Sequence, residues 1–175
     1  MPRSVIEHVG DFALRLTYDD RGRLVGAVHG AMRLELSPDV PSGRRSGVDG
    51  NEEWRDGKVK GSWADLPYGH DCDVDESVPY DDWVERGLRG FREQVFFACC
   101  PAGRQPPPEL AAETVRYAIE HDVLSRHSIH PAAVATTRLA ARAASPRDLR
   151  DWRSHFERKG LEAYVAALAE GLTAS

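Results

Sequence analysis

The chain has 175 residues, 41% hydrophobic and 29% charged, with a net charge of -5 and a pI of about 5.8. That length suits one domain with its own core, the balance excludes a disordered or fibrous chain, and the net acidity argues against broad charge-driven binding of nucleic acid. No apolar run approaches the ~18 residues a membrane-spanning helix needs. Glu7 interrupts any secretory apolar region, and Cys72, Cys99 and Cys100 form an odd set in which neighbours bond only with strain, so a cytoplasmic protein with reduced thiols and no membrane contact is expected.

The pattern begins with period two. Phe12, Leu14 and Leu16, then Val25, Ala27 and His29, then Met32, Leu34 and Leu36 alternate with polar neighbours. Asp19-Asp-Arg-Gly22 supplies turn chemistry between the first two runs, and His29-Gly30 a weaker second corner, so residues 5–37 are expected to form an antiparallel meander of two or three strands. Residues 38–80 are dense in Gly and Pro with few periodic apolar positions and read as a long irregular connection, in which Arg55-Asp-Gly-Lys-Val-Lys60 can carry a short hairpin. Trp54, Trp63, Leu66 and Tyr68 are expected to anchor it.

From Asp82 the period becomes 3.6. Val84, Leu88, Phe91 and Val95 share a helical face, Asp82 with Glu85 forms a capping-box pattern, and Cys100-Pro-Ala-Gly103 ends the helix. A second helix is expected from Pro106-Pro-Pro-Glu109 to about Arg126, with Leu110, Val115, Ala118 and Ile119 facing inward, and an alanine-rich third opens at Pro131. Ser145-Pro-Arg-Asp148 is a strong start for a fourth, carrying Leu149, Trp152 and Phe156; after Gly160, a last helix presents Leu161, Val165, Leu168 and Leu172 on an apolar face. Strands first and helices later, without alternation, predict a single α+β domain over 1–175: a small N-terminal antiparallel β-meander, a long irregular loop and a C-terminal bundle of four to five helices over 81–172.

Residues 65–82 carry seven acids and no lysine or arginine. Asp71, Asp73 and Asp75 fall at positions one, three and five of a calcium-loop count and Asp82 at the twelfth, a spacing of hard oxygen ligands that suits a divalent cation. Glu76 stands where the loop turn wants glycine, Pro79 stiffens the segment, and no helix precedes it. A zinc set of His70, Cys72, Cys99 and Cys100 has poor spacing, since adjacent cysteines struggle to spread tetrahedrally; core filling is the simpler role for Cys99 and Cys100. A thiolate nucleophile would draw on His121, His127 or His130, yet no spacing selects a pair, and Glu120-His-Asp122 reads as a polar helix end. No catalytic residue is therefore assigned.

Residues 138–159 are locally basic, and a helix, a Ser-Pro corner and a second helix match a helix-turn-helix layout in which Arg142, Arg147, Arg150 and Arg153 would meet DNA. Attraction between this basic stretch and the acidic 65–82 segment, within one chain or across a homo-oligomer, accounts for both features at once. Three functional expectations result. The first is a non-enzymatic binding or regulatory protein that presents an acidic, aromatic segment, with Trp63, Tyr68, Glu76 and Tyr80 at the contact, to a protein partner or a cation. The second is a small metal-assisted or acid/base enzyme using His70, Asp71, Asp73 and Asp75, and the third is a DNA-binding regulator.

Overall fold

The computed structural model describes residues 1–30, 32–35, 43–47, 50–55, 58–63, 72–126 and 129–173. The protein is α+β. Among the described residues eight strands precede five helices: β1 (Arg3–Val9), β2 (Phe12–Tyr18), β3 (Leu24–His29), β4 (Met32–Glu35), β5 (Gly43–Gly47), β6 (Gly50–Arg55), β7 (Lys58–Trp63), β8 (Cys72–Pro79), α1 (Tyr80–Ala98), α2 (Pro108–Glu120), α3 (Pro131–Ala143), α4 (Pro146–Lys159) and α5 (Glu162–Thr173). The chain packs as two compact units: Met1–Glu7 with Ala13–Phe91, and His8–Phe12 with Arg92–Ser175. No helix among the described residues is long and apolar enough to cross a membrane.

In the first unit, β1 to β4 form one sheet in chain order. Leu16 faces Ala27 in the antiparallel register, and the alternation of β2 buries Leu14 and Leu16 together. The Asp19 turn closes as its residue types dictate. The Asp19 carboxylate accepts from the Arg21 and Arg23 amides, both at 2.9 Å, and from Arg23 Nε at 2.8 Å. The amide bond from Arg23 is the foremost reason its carboxyl is held below the ordinary aspartate value. The meander has one strand more than its alternation announces. In β1, Val5 and Ile6 are adjacent and both exposed, at 37% and 45%, so this edge strand shows no period-two signal.

The 38–80 stretch differs from its reading as an irregular connection, because its described residues form a second meander in the order β5-β6-β7-β8. Arg55 pairs with Lys58 in the antiparallel register of β6 and β7, so the hairpin expected there forms. Facing positions carry opposite formal charges, Arg44 with Glu53, Arg45 with Glu52 and Glu53 with Lys60. The glycine-rich and charged sequence of β5 and β6 carries no apolar alternation to read.

In the second unit, α3 lies against α2 and α5, and α4 against α5 and α2. Phe96, Val115, Leu124, Trp152, Phe156, Leu161 and Tyr164 fill the centre, and alanines at 111, 118, 133, 140 and 141 let the helices approach closely. The tightest approach is at Gly171, where an added Cβ would sit 2.1 Å from the Arg138 carbonyl oxygen. Thr114, Thr136 and Thr137 are buried but donate to carbonyls one turn back, at 2.8 to 2.9 Å, so their hydroxyls are satisfied.

Helix ends follow their caps. Ser145 Oγ accepts from the Asp148 amide at 3.0 Å while Asp148 Oδ2 accepts from the Ser145 amide at 3.3 Å, completing the capping box that starts α4. Two boundaries are corrected. The first helix begins at Tyr80, so Asp82 lies within its first turn and is not its cap. The second ends at Glu120 instead of Arg126, because Asp122 adopts a left-handed backbone (φ 49) and the Val123 amide returns to the Ala118 carbonyl at 3.1 Å.

Candidate functional site

The acidic candidates fall on the second sheet and the start of α1. Trp63 is the last residue of β7, Asp73, Asp75 and Glu76 lie on β8 beside Cys72, Tyr80 opens α1 and Asp82 follows in its first turn. Tyr68, His70 and Asp71 lie outside the described residues, as does His127. β8 pairs with β7 in the register Ser62 to Asp73 and Trp63 to Cys72, and it ends its sheet among the described residues. The register is irregular between Val74 and Val78, the stretch of β8 that holds Asp75 and Glu76.

The thiols and histidines of the second unit have structural surroundings. Burial, reinforced by the neighbouring Cys100, pushes the Cys99 thiol up to about 12, and burial pushes Cys100 up to about 11. Both shifts oppose the thiolate that nucleophilic or metal chemistry requires. Cys99 Sγ donates weakly to the Val9 carbonyl at 3.7 Å. His121 packs against Tyr117 with ring centroids 4.5 Å apart and planes tilted by 56°, and His130 Nδ1 accepts from the Ala132 amide at 3.2 Å as the cap of α3. No group of three or more His, Cys, Asp or Glu with metal-binding placement occurs among the described residues.

A polar cluster that sequence reasoning missed lies where α2 ends beside α4. Lys159 Nζ reaches Asp122 Oδ1 at 2.8 Å, and the nearly buried His155 points Nε2 at the same oxygen from 3.7 Å, too far for a hydrogen bond. Burial holds the His155 ring below its ordinary pKa; the Asp122 charge opposes this, while the Lys159 and Arg158 charges add to it. Asp122 lies just past the end of α2 and His155 and Lys159 lie on α4, 33 and 37 positions later in sequence, and the left-handed Asp122 that joins them has no motif to announce it.

The four arginines of the helix-turn-helix reading are all exposed, Arg142 at the end of α3 and Arg147, Arg150 and Arg153 along α4. Much of the local positive charge is matched by acids within this unit. Arg147 faces Asp151 at 3.7 Å, Arg153 binds Glu157 at 2.9 Å, Arg138 binds Glu170 at 2.8 Å and Lys159 binds Asp122. Arg116 also holds Asp148 at 3.1 Å. Arg142 and Arg150 have no ion pair among the described residues. Moreover, α3 and α4 pack chiefly on other helices, whereas a DNA-reading pair braces one helix on the other.

Between α4 and α5 runs a groove of about 600 Å³, with Leu149, Leu161, Val165 and Leu172 among its apolar lining and Arg150, Arg153, Glu157 and Glu162 beside them. The expected apolar face of α5 is thus only partly internal: Leu161 and Leu168 are buried, but Leu172 is 58% exposed. The chain matches no protein-family model, no curated protein and no solved structure.

Proposed function

We propose that the chain is a non-enzymatic binding or regulatory protein that presents its acidic 63–82 segment to a partner, either a protein with a basic extended stretch or a divalent cation. The observation that supports this reading is the position of Asp73, Asp75 and Glu76 on β8, the strand that ends its sheet among the described residues, within a stretch of seven acids lacking lysine and arginine. An edge strand offers backbone donors and acceptors to an added strand, and the acids repel wrong partners and steer a basic one. Trp63, Tyr68 and Tyr80 supply apolar area to the same contact.

The test compares the protein with an Asp73→Asn, Asp75→Asn, Glu76→Gln variant. Binding of an arginine-rich extended peptide, followed by fluorescence anisotropy, is expected to weaken with salt and to fall at least about tenfold in the variant. In parallel, thermal unfolding with calcium, magnesium, manganese or zinc reads the cation branch, since a ligand at a hundred times its Kd stabilises by about 2.7 kcal/mol. No peptide binding and no metal-dependent shift would remove this reading. The enzyme built on His70, Asp71, Asp73 and Asp75 has no specific observation in its favour. The exposure of Arg142, Arg147, Arg150 and Arg153 favours the DNA-binding reading; their loss would flatten the salt dependence of duplex binding.

A further inference from the structure

We propose that the α4–α5 groove is the seat of a second copy of this chain, which docks about a two-fold axis to form a homodimer. This inference concerns the second unit and stands independently of the acidic segment.

Helix α5 is apolar around most of its circumference. Tyr164, Ala167, Leu168 and Gly171 form its buried side, while Ala166, Ala169 and Leu172 continue the apolar surface on the exposed side. A helix of this kind is normally covered on both sides. Leu149, in the first turn of α4, and Leu172, in the last turn of α5, line one groove with Gly160. Gly160, left-handed at φ 68, therefore turns α5 back along α4.

The charges beside the groove select the occupant. Glu157 and Glu162 flank the Gly160 corner, and Arg150 lies seven residues before Glu157, about 10 Å away along α4 at ~1.5 Å per residue. Arg153 is held by Glu157 at 2.9 Å. Arg150 and Glu162, both exposed and without an ion pair among the described residues, thus stand toward opposite ends of the groove. A uniformly acidic or basic partner would match one end and oppose the other. A second copy laid antiparallel across the groove sets each Arg150 against the other chain's Glu162, and the apolar floors meet between them, as a self-complementary two-fold interface requires.

The experiment uses the full chain in sedimentation equilibrium over a concentration series, with circular dichroism to confirm folding. Wild type is expected to dimerise, and Arg150→Glu and Glu162→Arg each to raise the dimer Kd by about tenfold or more, since each creates two like-charge contacts. Mixing the two variants makes both contacts attractive again, one as the native Arg150–Glu162 pair and the other with its charges exchanged, so the mixture is expected to form a heterodimer although neither variant dimerises well alone. Rescue within one fold cannot mimic that result. A monomeric wild type, single variants that dimerise undiminished, or a mixture that stays monomeric would each overturn the proposal.

Discussion

The helical unit and the second sheet are held by different means. Phe156, Tyr164 and Leu161 are fully buried in the helical unit, where the interior specifies each helix face. The β5-β8 meander is a run of antiparallel strands in chain order, with residues of opposite formal charge at facing positions such as Arg45 with Glu52. Interior packing leaves a periodic signature in sequence and concentrates stability in a few large side chains. A ladder of backbone hydrogen bonds spreads its contribution thinly and leaves little pattern.

The largest expected effect breaks this contrast at its stronger side. Phe156→Ala empties a site with 0% exposure against Tyr164, whose ring centroid is 5.4 Å away. A loss of about 3–5 kcal/mol is expected, measured by urea denaturation. Hydrogen exchange should show protection falling throughout α2 to α5 and falling less in the β6–β7 ladder. Equal loss in both regions would show that the two units unfold as one.

Gly171→Ala comes next and tests close approach instead of volume. Its Cβ would meet the Arg138 carbonyl oxygen at 2.1 Å and the Ala141 side chain at 2.8 Å, and backbone cannot swing aside as a flexible side chain can. An alanine that should favour a helix is here expected to destabilise by about 1–3 kcal/mol, or roughly 2–12 °C in Tm for a chain of this size. A neutral or raised Tm would show that α3 and α5 separate freely.

What the sequence discloses follows the same division. Ser145-Pro-Arg-Asp148 announces α4 because every element of the cap is local, and Asp19-Asp-Arg-Gly22 announces its turn for the same reason. The end of α2 is hidden because Asp122, not a glycine, takes the left-handed conformation. The α4–α5 groove is hidden for another reason. Leu149, Val165 and Leu172 have the spacing of core residues, and only the turn at Gly160 leaves a gap between the helices that carry them. Of the candidate site residues, the exposed arginines are legible as charge, whereas their pairing with Asp151 and Glu157 one turn on depends on side-chain direction. His155 is the clearest omission, since a histidine between Ser154 and Phe156 gives no sign that it lies against Asp122.

His155 provides the smallest effect and the finest probe of the helical unit. Its folded pKa is lowered from 6.5, burial being the main cause, so the native state resists a proton that the unfolded chain accepts. Stability from this residue is fully present above pH 6.5 and declines as pH falls toward the lowered native value. The slope is bounded by about 1.4 kcal/mol per pH unit, the limit for one proton. Replacing His155 with Gln keeps a polar group of similar reach but removes the titration, so urea midpoints measured between pH 7.5 and pH 5 should fall less in the variant than in wild type. The Asp122 carboxylate pulls the other way, and Asp122→Asn in the His155 background should therefore steepen the acid loss. If Asp122→Asn made the loss shallower, the ring would be protonated and paired in the native state, and burial would not be the dominant influence on it.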